Sequence, residues 1–194
     1  GGIAGNTFGQ YTNAPDLAIE YPVNNTFSSD NTLNVNYTVS DTTLDSCWYS
    51  NDTMTENITL AACANITAVT WIEGQHNVSV WANDSANAEN QSDVIFTIDT
   101  VIPALVIESP ANATITTDTA INVNFTISDT NIDACWWSND TGENNNSVTC
   151  GENITGQGWP AGLNTIFVYA NDTAGNVNDS EYVSFEVDTG GPSV

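Results

Sequence analysis

The sequence contains one domain-length unit written twice. Residues 38–53 return as residues 126–141, an offset of 88 residues. The same offset relates Pro15 to Pro103, and it drifts by only one residue at the second cysteine of each copy. A repeat of this length is a domain rather than a solenoid unit. The sequence therefore predicts two copies of one fold, each large enough to bury its own core.

Alternating apolar residues indicate β-strands in both copies. Leu33, Val35, Tyr37 and Val39 alternate with polar residues, and residues 121–127 repeat the pattern. A period of two is typical of a half-buried strand. Turn residues recur at intervals of about 8 to 12 residues, as in a β-sandwich, and no stretch has a sustained helical period. These patterns predict an all-β fold.

One further alternating run carries bulky residues on its second face as well. Val78 and Val80 alternate with Trp81 in the first copy, and the second copy places Phe167 and Tyr169 on that second face. The run is either a central strand with covered aromatic residues or a contact surface between domains or subunits. The sequence leaves both interpretations open.

The charge balance excludes several classes of partner. The chain has 24 acidic side chains and no lysine or arginine. It cannot neutralise phosphates, so nucleic acid is excluded as a partner, and an anionic membrane surface would repel it. Lysine-dependent chemistry is excluded for the same reason. No apolar run has the length of a membrane span, so we expect no direct membrane insertion.

The four cysteines occupy matching positions in the two copies: Cys47 and Cys63, then Cys135 and Cys150. This even count at repeated positions predicts one disulfide in each domain. The alternative is a zinc site, but four cysteines spread over two domains with a single histidine form a poor ligand set. Disulfides are favoured because the asparagine sequons indicate an oxidising, extracellular compartment.

The sequence has 15 Asn-x-Ser/Thr sequons among 27 asparagines, where chance placement would give about 6. The surplus predicts an extracellular surface carrying covalent N-glycans. Part of it has a simpler explanation, because Asn and Thr are common in turns and exposed strands. The candidate sites are Asn24, Asn36, Asn51, Asn57, Asn65, Asn77, Asn83, Asn90, Asn112, Asn124, Asn139, Asn145, Asn153, Asn171 and Asn178.

Several segments resemble the Ig-like repeats of bacterial and archaeal surface proteins. The resemblance rests on residues 74–84, on residues 169–176, on the Phe-x-Val-Asp-Thr ending at residues 185–189, and on the Asp-Thr-x-x-Pro junction at residues 99–103. It covers about residues 13–194. It implies two tandem Ig-like (Greek-key) β-sandwich domains arranged end to end on an extracellular surface. The density of sequons without a required upstream acid indicates an archaeal or eukaryotic surface, and together with the resemblance it favours an archaeal one. The close cysteine spacing departs from the B–F disulfide of antibody domains.

We expect the domain boundaries at residues 13–100 and 101–189. The uncharged segment 1–12 has no counterpart in the repeat, and it is either a disordered tag or leader remnant or a donor strand for a neighbouring subunit. Residues 190–194 repeat the linker between the domains. The chain is therefore expected to be one link of a longer array, joined covalently or by strand pairing.

The acidic residues provide the only candidate site chemistry, and the sequence predicts no enzyme. Asp84, Asp99, Asp172 and Asp188 are weak calcium candidates, because calcium accepts irregular sets of oxygen ligands. The alternative assigns them to hairpin turns, where acids are solvated or cap backbone groups. No other metal or cofactor is expected, and no phosphate loop, nucleophile elbow or zinc motif occurs.

The histidine and the tryptophans have structural explanations. His76 is the only histidine, and Asn164 stands at its repeat position, which predicts an exposed strand residue rather than a base. The tryptophans are candidates for stacking sugars. Core packing is the favoured interpretation for Trp48 and Trp136, each next to a cysteine. The assignment of Trp137 and Trp159 stays open.

These observations lead to one preferred function and two alternatives. The preferred function is a structural subunit of an extracellular, N-glycosylated filament or surface layer, a homopolymer that assembles head to tail by β-strand complementation. The first alternative is a stalk or binding module of a cell-surface adhesin, rigidified by calcium, with a surface glycan or a protein as its ligand. The second is an accessory domain of a secreted hydrolase.

Overall fold

The computed structural model describes residues 13–139 and 144–190, and this part of the chain is all-β. The chain divides into two compact units, residues 1–99 and 100–194. The expected donor strand (1–12) and residues 191–194 of the expected C-terminal linker lie outside the described residues. No helix in the described ranges is long and apolar enough to cross a membrane.

The two units have the same order of strands. In the first unit these are β1 (Asp16–Tyr21), β2 (Thr26–Ser28), β3 (Asn36–Ser40), β4 (Leu44–Asn51), β5 (Ile58–Thr59), β6 (Gly74–Asp84) and β7 (Glu89–Ile98). A short 3-10 turn at Ala61–Cys63 follows β5. In the second unit they are β8 (Ala104–Ser109), β9 (Thr114–Thr116), β10 (Asn124–Ser128), β11 (Ile132–Ser138), β12 (Asn146–Val148), β13 (Gly162–Asp172) and β14 (Val177–Val187).

Each unit is a sandwich of two unequal sheets. The larger sheet has five strands, in the order β2-β7-β6-β4-β5 in the first unit and β9-β14-β13-β11-β12 in the second. The smaller sheet pairs β1 with β3, or β8 with β10. All pairs are antiparallel except β2 with β7 and β9 with β14, which are parallel. The predicted all-β fold of two tandem β-sandwich domains is confirmed.

The cores lie between the two sheets, on the faces that the alternation predicts. Val35, Val78, Val80 and Phe96 are almost completely buried in the first unit, and their counterparts are buried in the second. A tryptophan from a loop enters each core, Trp71 in the first unit and Trp159 in the second. The indole Nε1 of Trp71 donates to the carbonyl of Leu33 at 2.8 Å, and that of Trp159 donates to the carbonyl of Ile121 at 2.7 Å.

The hairpins that join the long strands also match. A left-handed residue lies in each turn, Asn87 with φ of 63° and Gly175 with φ of 89°. Glycine reaches this region without steric cost, and asparagine tolerates it better than most residues. Both turns therefore form with the residue types that the geometry requires.

The prediction that Trp48 and Trp136 lie in the core is wrong. Both side chains lie half-buried on the outer face of the five-stranded sheets. Cys47 points inward, and successive residues of a strand point to opposite faces, so its neighbour must point outward. Trp137, left open by the sequence, points inward and is only 7% exposed.

Candidate functional site

Both predicted disulfides are present. Cys47 is bonded to Cys63 and Cys135 to Cys150, with Cα atoms 5.1 and 5.2 Å apart. Each bond ties the inner strand β4 or β11 to the segment that follows the short edge strand beside it in the same sheet. Disulfides persist in oxidising compartments, which agrees with an extracellular location.

The sequon asparagines differ widely in exposure. Asn178 is buried, six of the others are partly buried, and eight are exposed. The glycan of an N-glycosylated asparagine is attached to Nδ2, so the surroundings of that atom decide whether the folded domain accommodates a glycan. The exposed sites are Asn24, Asn57, Asn65, Asn77, Asn112, Asn139, Asn145 and Asn153.

Some sequon asparagines stabilise the fold through their carbonyl oxygen alone. Asn65 Oδ1 accepts a hydrogen bond from the backbone N–H of Tyr37 at 3.0 Å, and Asn24 Oδ1 accepts one from Ile95 at 2.8 Å. The equivalent asparagines of the second unit make the same bonds. All four asparagines are exposed. The hydrogen bond to Oδ1 is therefore compatible with a glycan attached to Nδ2 of the same amide.

Other sequon asparagines donate from Nδ2 instead, among them a matching pair. Asn90 Nδ2 donates to the carbonyl of Pro15 at 2.9 Å, and Asn178 Nδ2 donates to that of Pro103 at 3.0 Å. These bonds join the last strand of each unit to the residue just before its first strand. Asn178 is only 7% exposed, which leaves no room for a sugar on its Nδ2.

The acidic calcium candidates at the hairpins are bonded to their own turns. Asp84 Oδ1 accepts from the backbone N–H groups of Ala86 and Ala88, at 2.9 and 2.8 Å. Asp172 accepts from the backbone N–H and the side-chain Nδ2 of Asn176, at 2.8 and 2.7 Å. Both aspartates are almost completely buried, so they act as turn-forming acids in this geometry. Calcium binding stays a prediction.

The other two candidates lie where each unit ends. Asp188 is exposed, and its Oδ1 accepts from the backbone N–H of Gly190 at 2.9 Å. Asp99 is buried, and its backbone N–H donates to the carbonyl of Ser28 at 3.0 Å. The backbone of Asp188 makes the equivalent bond to Thr116. The backbone of both residues therefore extends the pairing of the parallel strands.

The prediction that His76 is an exposed strand residue is wrong. The ring is buried and lies against Trp71 and Phe96, with centroids 5.1 and 5.5 Å apart. Its Nδ1 lies 3.0 Å from Asp52 Oδ2 and its Nε2 lies 2.8 Å from the carbonyl of Ile72. The histidine has the same strand parity as Val78 and Val80, which accounts for its inward direction.

Asn164 makes an equivalent structural contact in the second unit. It is buried, and its Nδ2 donates to the carbonyls of Pro160 and Gly162, each at 3.0 Å. Both residues therefore fasten the loop that precedes the longest hairpin of their unit. The geometry of His76 gives it a structural role in the first unit.

The outer face of each five-stranded sheet carries stacked aromatic rings. In the first unit Trp48 and Trp81 are nearly parallel, with centroids 6.4 Å apart and an interplanar angle of 6°. In the second unit the matching pair is Trp136 and Tyr169, at 5.5 Å and 9°. The residues predicted to be either covered or a contact surface thus lie half-buried on an outer sheet face.

Comparison with solved structures agrees with the fold. The fibronectin(III)-like modules of Clostridium thermocellum CbhA match with a TM-score of 0.51 and 16% identity, covering 89% of this chain and 94% of that one. The chicken CNTN1 FN1–FN3 domains match at 0.44 and 12%, covering 89% and 68%. A tetra-tandem repeat from the extending region of a large adhesion protein matches at 0.32 and 16%, covering 89% and 49%.

No protein-family model matches the sequence, and no curated protein matches it. The first of the three structures carries the fold assignment, because the other two have TM-scores below 0.5. At 16% identity this likeness concerns the fold and not the function. The chain therefore has the fold of two tandem β-sandwich domains, similar to that of fibronectin(III)-like modules.

Proposed function

We propose that this chain is a structural subunit of an extracellular, N-glycosylated filament or surface layer, in which copies join head to tail by β-strand complementation. The observation that carries the proposal is the inequality of the two sheets. Among the described strands β1 pairs with β3 alone, and β8 with β10 alone. A strand with one unpaired edge is a template for a further strand.

The open edge of β1 is protected against unspecific pairing. Asp16 and Glu20 are exposed on this strand, and charged edge residues discourage unspecific pairing. Side chains of β7 reach the same edge, where the backbone N–H of Ile19 donates to Ser92 Oγ at 3.1 Å. Residues 1–12 contain no charged side chain, so they are a suitable donor for an edge already rich in carboxylates.

The charge of the surface favours end-to-end association of copies over side-by-side association. A net charge of −24 without any lysine or arginine opposes side-by-side association of copies. Glycans on the exposed sequons would add bulk to the same surface. The disulfide in each unit is consistent with assembly outside the cell.

Electron microscopy and sedimentation of the purified chain test the proposal. We expect fibres with a repeat of one two-domain unit, and we expect a chain lacking residues 1–12 to remain monomeric. A matched control replaces residues 1–12 with a Gly/Ser segment of equal length, which should also remain monomeric. A synthetic peptide of residues 1–12 should shorten wild-type fibres by occupying their ends.

Two results would contradict parts of the proposal. Fibres formed equally well without residues 1–12 would exclude this segment as the donor strand. Monodisperse monomers under all conditions would exclude the filament and favour the adhesin stalk or binding module. An aromatic surface on the second unit is the observation that supports a binding role.

A further inference from the structure

The second unit carries a continuous line of aromatic rings across the outer face of its larger sheet. We call the four residues Trp136, Tyr169, Phe167 and Tyr182 the aromatic strip. Successive ring centroids lie 5.5, 6.5 and 5.7 Å apart, in that order. The rings belong to the three adjacent strands β11, β13 and β14. The first three rings are half-buried, and Tyr182 is 54% exposed.

The first unit has no such strip, although its backbone is the same. Ser79 and Asp93 occupy the positions of Phe167 and Tyr182, and they are hydrogen-bonded to each other. Gln91 Nε2 also donates to Asp93, and the Trp81 indole donates to Gln91. A polar network therefore fills the place of two rings. The fold does not require the aromatic strip, so packing alone does not explain it.

The two faces also differ in their sequons. Asn77 is exposed on the outer face of β6, two residues before Ser79, and it begins a sequon. In the second unit Thr165 stands at that position and exchanges a hydrogen bond with Ser184 at 2.9 Å. A glycan attached at this point would cover the first face, whereas the second face has no attachment point there.

The charge of the chain narrows the class of ligand. A second copy carries the same net charge of −24 and no cation, so two such faces repel each other. A neutral ligand avoids this repulsion. The exposed carboxylate of Glu186 lies on the same face, and that of Asp133 accepts from Asn171 Nδ2 at 3.1 Å. Such groups accept hydrogen bonds from hydroxyl donors.

We propose that the aromatic strip binds a chain of neutral hexose sugars. The face of an aromatic ring carries partial negative charge and attracts the C–H groups of a sugar ring laid flat upon it. The hydroxyl groups at the sugar edge then donate to the neighbouring acceptors. The proposal is independent of filament assembly, because it concerns a sheet face and not a strand edge.

The ligand that we propose is a free polysaccharide, because the line of rings runs across β11, β13 and β14, away from the edge strand β12. The occupant that the test must exclude is the chain's own N-glycan on Asn145, which precedes β12. Ser147 of this strand is paired with Trp136. Glycan-free full chain, glycosylated full chain and a glycosylated Asn145→Gln variant distinguish the two occupants.

Affinity electrophoresis through gels containing barley β-glucan or yeast mannan provides the measurement. We expect at least one of these neutral polymers to retard the glycan-free chain. The double variant Phe167→Ser/Tyr182→Asp introduces the residues of the first unit, and we expect it to weaken binding at least about tenfold. Ile72→Ser, which removes an exposed apolar side chain of the first unit, should bind like the wild type.

The outcomes decide the proposal and the source of the sugar. We expect the glycosylated chain to bind the polysaccharide both with and without Asn145→Gln. Binding only after Asn145→Gln would show that the chain's own glycan occupies the strip, and it would overturn the assignment to a free polysaccharide. Retardation by neither polymer in the glycan-free chain would overturn the proposal. Undiminished binding of the neutral polymers by the double variant would also overturn it. The same holds if the chain binds only the cationic polymer polylysine and salt abolishes that binding.

The reciprocal variant shows whether the strip itself is sufficient. Ser79→Phe/Asp93→Tyr in a chain that already carries Phe167→Ser/Tyr182→Asp should restore retardation, because it rebuilds the line of rings on Trp81 in the first unit. Equal thermal melting of the variants confirms that they are folded. Failure of a folded reciprocal variant to bind would mean that the rings alone do not form the site.

Discussion

Asn178 donates a hydrogen bond from its side-chain Nδ2 to the backbone carbonyl of Pro103 at 3.0 Å, although it is the first residue of a sequon. The bond closes the second unit by joining its last strand to the start of its first. Asn90 makes the same bond to Pro15 in the first unit. A sequence motif for modification therefore coincides, at these two positions, with a structural clamp.

We predict that Asn178 carries no glycan, while the exposed Asn24, Asn65, Asn112 and Asn153 are the preferred sites. Peptide mass spectrometry of the native material measures the occupancy of each sequon. The protease must cleave at acidic or aromatic residues, because the chain has no lysine or arginine. High occupancy at Asn178 would show that the clamp is open when the glycan is added.

The same clamp has an energetic consequence. We expect Asn178→Ala to lower the free energy of unfolding of the second unit by about 1–3 kcal/mol, because it removes a buried donor and leaves the Pro103 carbonyl unpaired. Asn57→Ala, at an exposed sequon, should change it by less than about 0.5 kcal/mol. Denaturant unfolding of the glycan-free chain measures both, and equal effects would argue against the clamp.

The buried hairpin aspartates should stabilise the fold without a metal. We expect Asp84→Ala and Asp172→Ala each to cost about 1.5–3 kcal/mol, the usual range for hydrogen bonds to a charged group. Since their acceptor oxygens bind the turn itself, the loss should be the same with and without a chelator. A loss that disappears in the chelator would assign these carboxylates to bound calcium.

The two disulfides should contribute equally to the free energy of unfolding of their units. Their sequence separations are 16 and 15 residues, and a loop of that length corresponds to about 3 kcal/mol in the chain-entropy description. We expect the double variants Cys47→Ala/Cys63→Ala and Cys135→Ala/Cys150→Ala to lower the free energy of unfolding of their own unit by that amount. Unchanged unfolding after reduction would contradict this expectation.

Alkaline pH should destabilise the first unit selectively. Burial raises the pKa of Tyr37 and Tyr49 above the ordinary value of 10.0. The folded chain therefore keeps these phenolic protons to a higher pH than the unfolded chain does. The stabilisation is complete below pH 10 and is lost as the pH rises through the raised values.

The second unit provides the control for this effect, because Phe125 and Trp137 stand at the two positions. Denaturant unfolding between pH 8 and pH 11.5 should show a loss confined to the first unit. The variant Tyr37→Phe/Tyr49→Phe should remove most of that loss. An equal loss in both units would point to general charge repulsion instead.

The sequence was sufficient to predict which faces of the strands point into the cores and which cysteines form the disulfides. It also contained the signals for three residues that were misplaced. Trp48 and Trp136 follow the inward Cys47 and Cys135, and His76 shares the parity of Val78 and Val80. Strict alternation would have placed all three correctly. Proximity to a cysteine and the Asn counterpart in the repeat were weaker guides than the period of two.

Other features required the three-dimensional pairing. The aromatic strip depends on the register that sets Phe167 opposite Tyr182, and no local pattern in the sequence reveals that register. The clamp of Asn178 joins residues 75 positions apart in the chain. Such contacts arise from the closure of one sheet over the other, which a strand-by-strand interpretation does not include.

The parallel pairing of β2 with β7, and of β9 with β14, determines how each unit responds to tension. In the first unit Thr26, Phe27 and Ser28 pair with Phe96, Thr97 and Ile98. Because an early strand and the last strand run in the same direction, a pull on the two ends of a unit slides them past each other. Their hydrogen bonds must then break together and not one after another. We therefore expect each unit to unfold abruptly at a threshold force when it is pulled from its two ends.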